Sequence, residues 1–500
     1  MPAAPVGLQA NYDPGIPGVV LTWLKNIEPD LYKYFIYRKI DHPDSVFRKI
    51  GAPFPPLDTN FTDINVEIGN AYWYAVTAMD SSGFESELSD SVLVRLALYE
   101  EVDNPIGTGY NNATRIIRYL YRGRGYELLL AFSSEGNVKC VSSSDEGVTW
   151  SQSQVIGQGQ FPTLVLDSGN NPCCLFGRWV GPSGYGSAQL YYTKFIDNHW
   201  TTPALLMSID SVYIGIPEYA IPAPSASVDS QDTIHVTWMS PMGQEYIHRF
   251  AVWYGNLYAF DTVPVFNYVQ LDTIWVYESS PCPALAIDGL QTTHIVYETD
   301  PAAPTLFYRY RESGIWREKE TIESEGCYYP DLEFFGDRIH LVWDYRYPDT
   351  TVAHELHYRS KSTTGWDTIM NIYEPLPFNV FGEPLNAGGW YTVWANQDIY
   401  YSRFNGTYWE QPETVQVTPE ISAHPTAMFR QDLDDTCLYI AWTEGDSAPY
   451  TIQFEKITVP SVPRSYANLG QPVQSPYCLE RDGYRIFGDK PYESVDYDND

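Results

Sequence analysis

Basic residues are scarce in this chain of 500 residues: Lys and Arg number 30 against 63 Asp and Glu, a formal net charge of −33. A field of that sign repels phosphate, which excludes nucleic acid as a partner and disfavours anionic membrane surfaces. The plain reading is solubility in an extracellular or saline setting; cation attraction is its functional rival. No cofactor is expected, with calcium the one cation such a field would draw. Cysteine is scarce too: seven residues, an odd number, with no C-x-x-C or Cys/His spacing that suits zinc. Cys282 and Cys327 each stand ahead of a proline that opens a strand, so a disulfide between them is one option. Cys173, Cys174 and Cys437 fall inside strands and read as small core residues. No apolar run is long enough to span a bilayer, and no stretch reads as a signal peptide. Helical periodicity is missing from every long window. The G-x-S-x-G, H-E-x-x-H, P-loop and EF-hand patterns are missing as well, and the nine His show no ligand spacing.

What the chain has in quantity is aromatic side chains: 41 Tyr, 21 Phe and 15 Trp. Tyr at that density favours half-buried strands, so the chain reads as all-β. A short apolar strand ending in an aromatic recurs seven times, at Phe132, Trp179, Trp238, Tyr297, Trp343, Trp394 and Trp442, with intervals of 47, 59, 59, 46, 51 and 48 residues. A strand that often starts with Pro precedes it, as in PTLVLD (162–167), PSASVD (224–229) and PALAID (283–288). A Tyr-rich strand follows, as in LYYTKF (190–195) and LHYRSK (356–361). A fourth strand usually opens with Trp. Four strands per repeat of this length predict a β-propeller of seven blades. Six is the alternative, because the first repeat has a poor first strand. The seventh repeat lacks its own fourth strand. The segment 93–101 can supply it and close the ring, which removes exposed edges. The propeller is therefore expected over residues 96–459.

Residues 1–95 stand outside the repeat. VVLTW (19–23), YFIYRK (34–39) and YWYAVTAMDSSGFESELS (72–89) alternate as half-buried strands should. Together they resemble a fibronectin type III domain, a β-sandwich in which Trp23 would pack the core and Tyr72 would form the tyrosine corner. In the first repeat, Ser143, Asp145, Gly147, Thr149 and Trp150 match the S-x-D-x-G-x-T-W Asp box. The segment resembles the sialidase superfamily and its BNR-repeat relatives. The resemblance implies that Asp145 is structural and lies on the face opposite the ligand site. It further implies three Arg for a substrate carboxylate, an Asp acid and a Tyr–Glu nucleophile pair. Arg115-Ile116-Ile117 stands where that family has R-I-P. The acidic loop that should follow is not recognisable, a departure that argues against catalysis, so no catalytic residue is assigned.

On the face away from the Asp box, the loops after the signature strands and between repeats hold Arg178, Trp179, Trp275, Tyr277, Glu278, Glu298, Asp344, Arg346 and Glu444. Aromatics beside carboxylates suit sugar stacking with hydroxyl hydrogen bonds, and these are the candidate ligand-binding residues. A retaining glycosidase would need two carboxyl groups facing each other across such a pocket. Sequons stand at Asn60, Asn112 and Asn405. Residues 460–500 read as a Pro-containing linker and part of a second fibronectin type III-like segment, with an acidic disordered tail as the alternative. The expected function is an extracellular scaffold, adhesion or glycan-binding protein without catalysis, secreted or on the surface of a prokaryotic cell. Its partners would be glycans or other surface proteins, with self-association also open. The alternatives are a sialidase-type glycoside hydrolase and a structural subunit of a surface layer or filament.

Overall fold

The structure is a computed structural model. It describes residues 2–461 and the short pairs 480–481 and 484–485. Outside the description lie stretches 14–17, 41–44, 67–69, 97–99, 111, 122–124, 183, 215–220, 243–248, 260–263, 276–281, 300–303, 347–353, 377–384, 388–389, 417–419 and 432–435. The proposed second sandwich segment at 460–500 falls almost wholly outside the described residues. Every described regular element is a strand. Among the described residues no helix is long and apolar enough to cross a membrane.

Two compact units divide the chain: 1–99 with 142–152, and 100–141 with 153–500. The first unit carries two antiparallel sheets. One pairs Gln9–Asp13, Gly18–Thr22 and Asn60–Asp63; the other pairs Arg48–Gly51, Leu31–Ile40, Ala71–Asp80 and Val92–Arg95 in that order. Their inward residues alternate along each strand, as the two-residue period requires, and form one core. Trp23 and Tyr72 are both in it, with Val19, Tyr34, Ile36, Tyr74 and Val76.

The second unit is a run of antiparallel sheets, numbered here in chain order. Their first strands are Ile116–Tyr121, Gln160–Leu166, Ser225–Val228, Ala284–Ile287, Cys327–Phe335, Leu385–Ala387 and Ser422–Gln431. Each first strand packs beside the first strand of the next sheet, and that of the last sheet beside that of the first. Such a cycle of sheets around an axis is a β-propeller. The seventh sheet takes its outer strand from Glu100–Val102, which pairs with Tyr450–Ile452. The expected closing segment is thereby divided. Val92–Arg95 pairs with Ala71–Tyr74 in the first unit, and only its end and the following residue close the array.

The cores lie between neighbouring sheets, and the signature aromatics fill them. Trp238, Tyr297, Trp343, Trp394 and Trp442 each enter the core shared with the preceding sheet and are fully buried. In sheet two this place belongs to Phe176, also fully buried and packed toward sheet one. Trp179, taken from the sequence as the signature residue, lies three residues further on and only packs against the core of sheets three and four. A hydrogen-bonded pair confirms the shift. His235, His294 and His340, each three residues ahead of its aromatic, bond Tyr254, Tyr308 and Tyr358 at 2.6, 2.6 and 2.9 Å. The residue three ahead of Phe176 is Cys173, whose thiol lies 3.5 Å from the Tyr192 hydroxyl. Cys282 and Cys327 are both buried and form no disulfide, so that option falls: they belong to different packing clusters.

The register makes opposite demands on two neighbouring aromatics. Phe176→Ala should cost about 3–5 kcal/mol, the cost of emptying a core aromatic site, whereas Trp179→Ala should cost distinctly less. Urea denaturation of the two variants checks the order, and a costlier Trp179 variant would restore the original register.

Candidate functional site

The seven signature strands all end where the first strands begin, and that end of the array carries the candidate residues. Its chemistry grows from a backbone feature. Phe161, Tyr329 and His424 each precede a proline and adopt left-handed φ values of 56°, 51° and 53°. Each sits in a β-bulge at the start of a first strand, a conformation that bulky residues reach only under constraint. The bulge turns an N–H away from its own ladder, and such a buried donor needs a partner. The Phe161 N–H goes to Ser133 Oγ at 3.0 Å. The Tyr329 N–H goes to Glu298 Oε2 at 2.9 Å. Ser133 and Glu298 are equivalent: each directly follows its signature aromatic and caps the next sheet. Thr443 holds the same position in sheet seven and takes the Thr108 N–H at 3.0 Å. In sheet two the position is Gly177, where a Cβ would meet the Pro222 carbonyl at 2.0 Å, so close backbone approach replaces the capping bond.

Glu298 brings an ionisable group to this capping position. Burial pushes its carboxyl up to about 8, against the Tyr329 amide and the nearby Arg346, which both pull the other way. Asp344, the equivalent residue in sheet five, is fully buried and accepts the Arg346 Nε–H at 2.8 Å. The Arg346 guanidinium lies 4.1 Å over the Tyr328 ring and 5.5 Å from that of Tyr329, a cation–π arrangement that fixes its plane. Its backbone N–H reaches Gly326 at 2.8 Å, where a side chain would collide with the Arg346 carbonyl. The fold thus brings three of the predicted residues, Glu298, Asp344 and Arg346, to one junction between sheets four and five. It adds Tyr328 and Tyr329, which the sequence reading missed; the Tyr-Tyr-Pro run at the start of a first strand was the available signal.

The remaining candidates are dispersed. Arg178 and Trp179 end the second strand of sheet two, and the Trp179 indole donates to Pro182 at 3.4 Å. Trp275 lies on the outer strand of sheet three under Arg249, 44% exposed. Glu444 is buried in sheet seven, where Trp442 Nε1 and Ser422 Oγ donate to it at 2.9 and 3.3 Å. Tyr277 and Glu278 lie outside the described residues. The Asp box atoms are internally bonded. Thr149 N donates to Asp145 Oδ1 at 2.8 Å, Gly147 N to Ser143 Oγ at 2.8 Å, and the Trp150 indole to the Gly147 carbonyl at 2.9 Å. Gly147 has φ 92°. Among the described residues no group of three or more His, Cys, Asp or Glu could hold a metal.

The axial mouth at this end is filled by the chain itself. Tyr110 packs with Phe161, Ala223 and Cys282, residues at or just before the first strands of sheets two, three and four. Asn112 Nδ2 donates to the Ala223 and Pro283 carbonyls at 3.3 and 2.9 Å. Arg115, which stands where the resemblance has its first Arg, is fully buried and directs Nη1 to the Tyr110 and Ala113 carbonyls.

No family model matches the chain, and no curated protein matches it. Among solved structures, it is similar to a Fn3-like protein from Clostridium thermocellum at 30% identity, covering 18% of this chain and 90% of that one, TM-score 0.16. It is similar to the intramolecular trans-sialidase from Ruminococcus gnavus at 8% identity, covering 70% and 96%, TM-score 0.41. It is similar to an α-L-arabinofuranosidase from Fusarium graminearum at 12% identity, covering 73% and 98%, TM-score 0.40. The pairing of the sheets, rather than these likenesses, defines the fold.

Two outcomes follow from the geometry. In a glycosylating host, Asn60 should accept a glycan and Asn112 should not, because the Asn112 amide is 2% exposed and bonded to two carbonyls. Glycopeptide mass spectrometry reads this directly. For Glu298, a folded-state value raised to about 8 gives stability that is fully present below the ordinary carboxyl range and lost as pH rises toward 8. Glu298→Gln keeps an acceptor for the Tyr329 amide and should flatten that decline. Denaturation midpoints at acidic and alkaline pH test it; parallel profiles for the two proteins would remove the assignment.

Proposed function

We propose that this chain is an extracellular modular protein, a seven-bladed propeller preceded by a fibronectin type III-like sandwich, and that it binds glycans without cleaving them. The observation that carries the reading is the Glu298–Arg346–Tyr328 junction. It combines a carboxyl group held neutral, a guanidinium with donors beyond the one Asp344 takes, and half-buried aromatic surface, the set that hydroxyl-rich ligands use. Binding is placed between sheets four and five because Tyr110 and Asn112 fill the axial mouth. The sialidase alternative loses support there as well, since Arg115 is fully buried and directs Nη1 to loop carbonyls. The Asp box hydrogen bonds support its structural role.

A second reading has one observation in its favour. A protonated Glu298 beside an ion-paired Asp344 is the pairing of environments that separates an acid from a base in glycoside hydrolysis. A panel of neutral and acidic oligosaccharides, titrated by calorimetry with calcium and again with chelator, distinguishes the two. The binding reading expects saturable heat without product, at least about tenfold weaker for Arg346→Ala, the loss that follows from one charge-assisted contact. It expects little change for Glu298→Gln and no need for calcium. Product release that Glu298→Gln abolishes would establish the hydrolase instead.

A further inference from the structure

Beneath the junction, one histidine is held by two acids. His357, on the third strand of sheet five, places Nδ1 2.9 Å from Glu323 Oε2 and Nε2 3.1 Å from Glu355 Oε2. Glu323 comes from the outer strand of sheet four, Glu320–Glu323, so the first bond crosses between sheets. The same Glu323 oxygen accepts the Trp343 indole N–H at 2.7 Å and lies 3.8 Å from the Cys327 thiol. Glu355 Oε2 also accepts from Asn371 at 3.0 Å. The Tyr345 ring stacks on the His357 ring at 4.5 Å and 8°. Tyr345 sits in the strand between Asp344 and Arg346 and pairs in register with Cys327. The titratable groups that face His357 are therefore Glu323 from sheet four, Glu355 on its own strand, and Tyr345 and Cys327 from the two inner strands.

The two contacts set a condition. A neutral imidazole has one N–H and one lone pair, so it can donate to only one carboxylate. Bonds to both require the imidazolium. After deprotonation, one carboxylate would face a nitrogen lone pair inside a site that largely excludes water, which is costly. We propose that His357 is a proton-operated clamp between sheets four and five that positions Tyr345, and through it the Asp344–Arg346 pair of the candidate site. The clamp is closed when both ring nitrogens carry protons and opens when one is lost. Burial lowers the affinity of His357 for its proton, but Glu323 and then Glu355 outweigh it, so the folded-state value lies above the ordinary one. The sign follows: the stabilisation is complete below the unfolded-state value of about 6.5 and is lost as pH rises through the raised value. The clamp stands on contacts within the fold; its effect on ligand rests on the binding role proposed above.

Hydrogen exchange on the full chain tests the clamp without any ligand. Backbone exchange is read in peptides covering 338–346 and 355–362, corrected for intrinsic chemistry, across the range from about pH 5.5 to about pH 8.5 in which a histidine between carboxylates titrates. The wild type should show a several-fold step toward faster exchange as pH rises, confined to these peptides. His357→Gln should exchange fast throughout, with no step. Glu355→Gln removes one acid and leaves the sheet-to-sheet bond, so its step should move to lower pH. If His357→Gln fails to fold, the Glu355→Gln midpoint decides alone. A flat wild-type profile, a step that survives His357→Gln, or an unmoved Glu355→Gln midpoint overturns the proposal. A clean step combined with no saccharide binding in calorimetry would keep the clamp and reject the binding role.

Discussion

Closure by Glu100–Val102 is the constraint on which the array depends. A sheet in a propeller buries its faces only between two neighbours, and its cooperative stability is shared along the ring. Without those residues, Tyr450–Thr458 would end the seventh sheet as an open edge. The first strands of the last and first sheets also meet at the axis. Thr108, a few residues after the closing strand, joins Thr443 through backbone and hydroxyl at 3.0 and 2.7 Å. The chain then runs through Tyr110 and Asn112 into the axial mouth before entering sheet one. The segment that seals the ring thus also seals the channel. The proposed site accordingly lies between sheets and not on the axis.

The same economy appears at the position after each signature aromatic. Ser133, Gly177, Glu298, Asp344 and Thr443 all stand there; Ser133, Gly177, Glu298 and Thr443 meet the segment that follows their own sheet, and Asp344 holds Arg346 of its own strand. A hydroxyl is sufficient to cap the Phe161 amide. A carboxyl at the equivalent place caps the Tyr329 amide and also brings an ionisable group into a buried setting, where the neutral form is favoured. Chemistry at this junction therefore arises from a structural position filled by a residue with more to offer than the structure requires.

Much of this was legible in the chain. The aromatic at each signature strand marks a core site because its neighbours are apolar on both sides of the strand, and all but one were placed correctly. The exception is instructive. PCCLFGRWV (172–180) carries two aromatics, and the sequence reading took the later one as the end of the signature strand. The structure selects Phe176, since the strand runs three residues past the core before it turns. Glu298, Asp344 and Arg346 were legible as residues just beyond signature aromatics. Tyr328 and Tyr329 were signalled only by the Tyr-Tyr-Pro run, and that run does not by itself show the left-handed bulge on which their role depends. Arg115 differs again: its position resembles that of a ligand arginine, while its Nη1 is directed to the Tyr110 and Ala113 carbonyls within the fold.

Histidine shows how far environment decides what a residue type does. His294 and His340 are buried beside tyrosine hydroxyls, and burial lowers both, His340 to about 4. They remain neutral members of a packing relay in which a hydroxyl and one acceptor suffice. His357 is buried as well, but two carboxylates outweigh that burial and raise its affinity for a proton. Glu298 at the adjoining junction also holds its proton, for the separate reason that its desolvation is not offset. Both groups therefore release protons as pH rises, and both releases weaken the same contact between sheets four and five. A histidine made basic by acids and an acid made weak by burial have opposite charges, yet their contributions to stability change with pH in the same direction. Both contributions therefore favour the acid side at this one contact, whereas His294 and His340, lowered by burial, do not add to them.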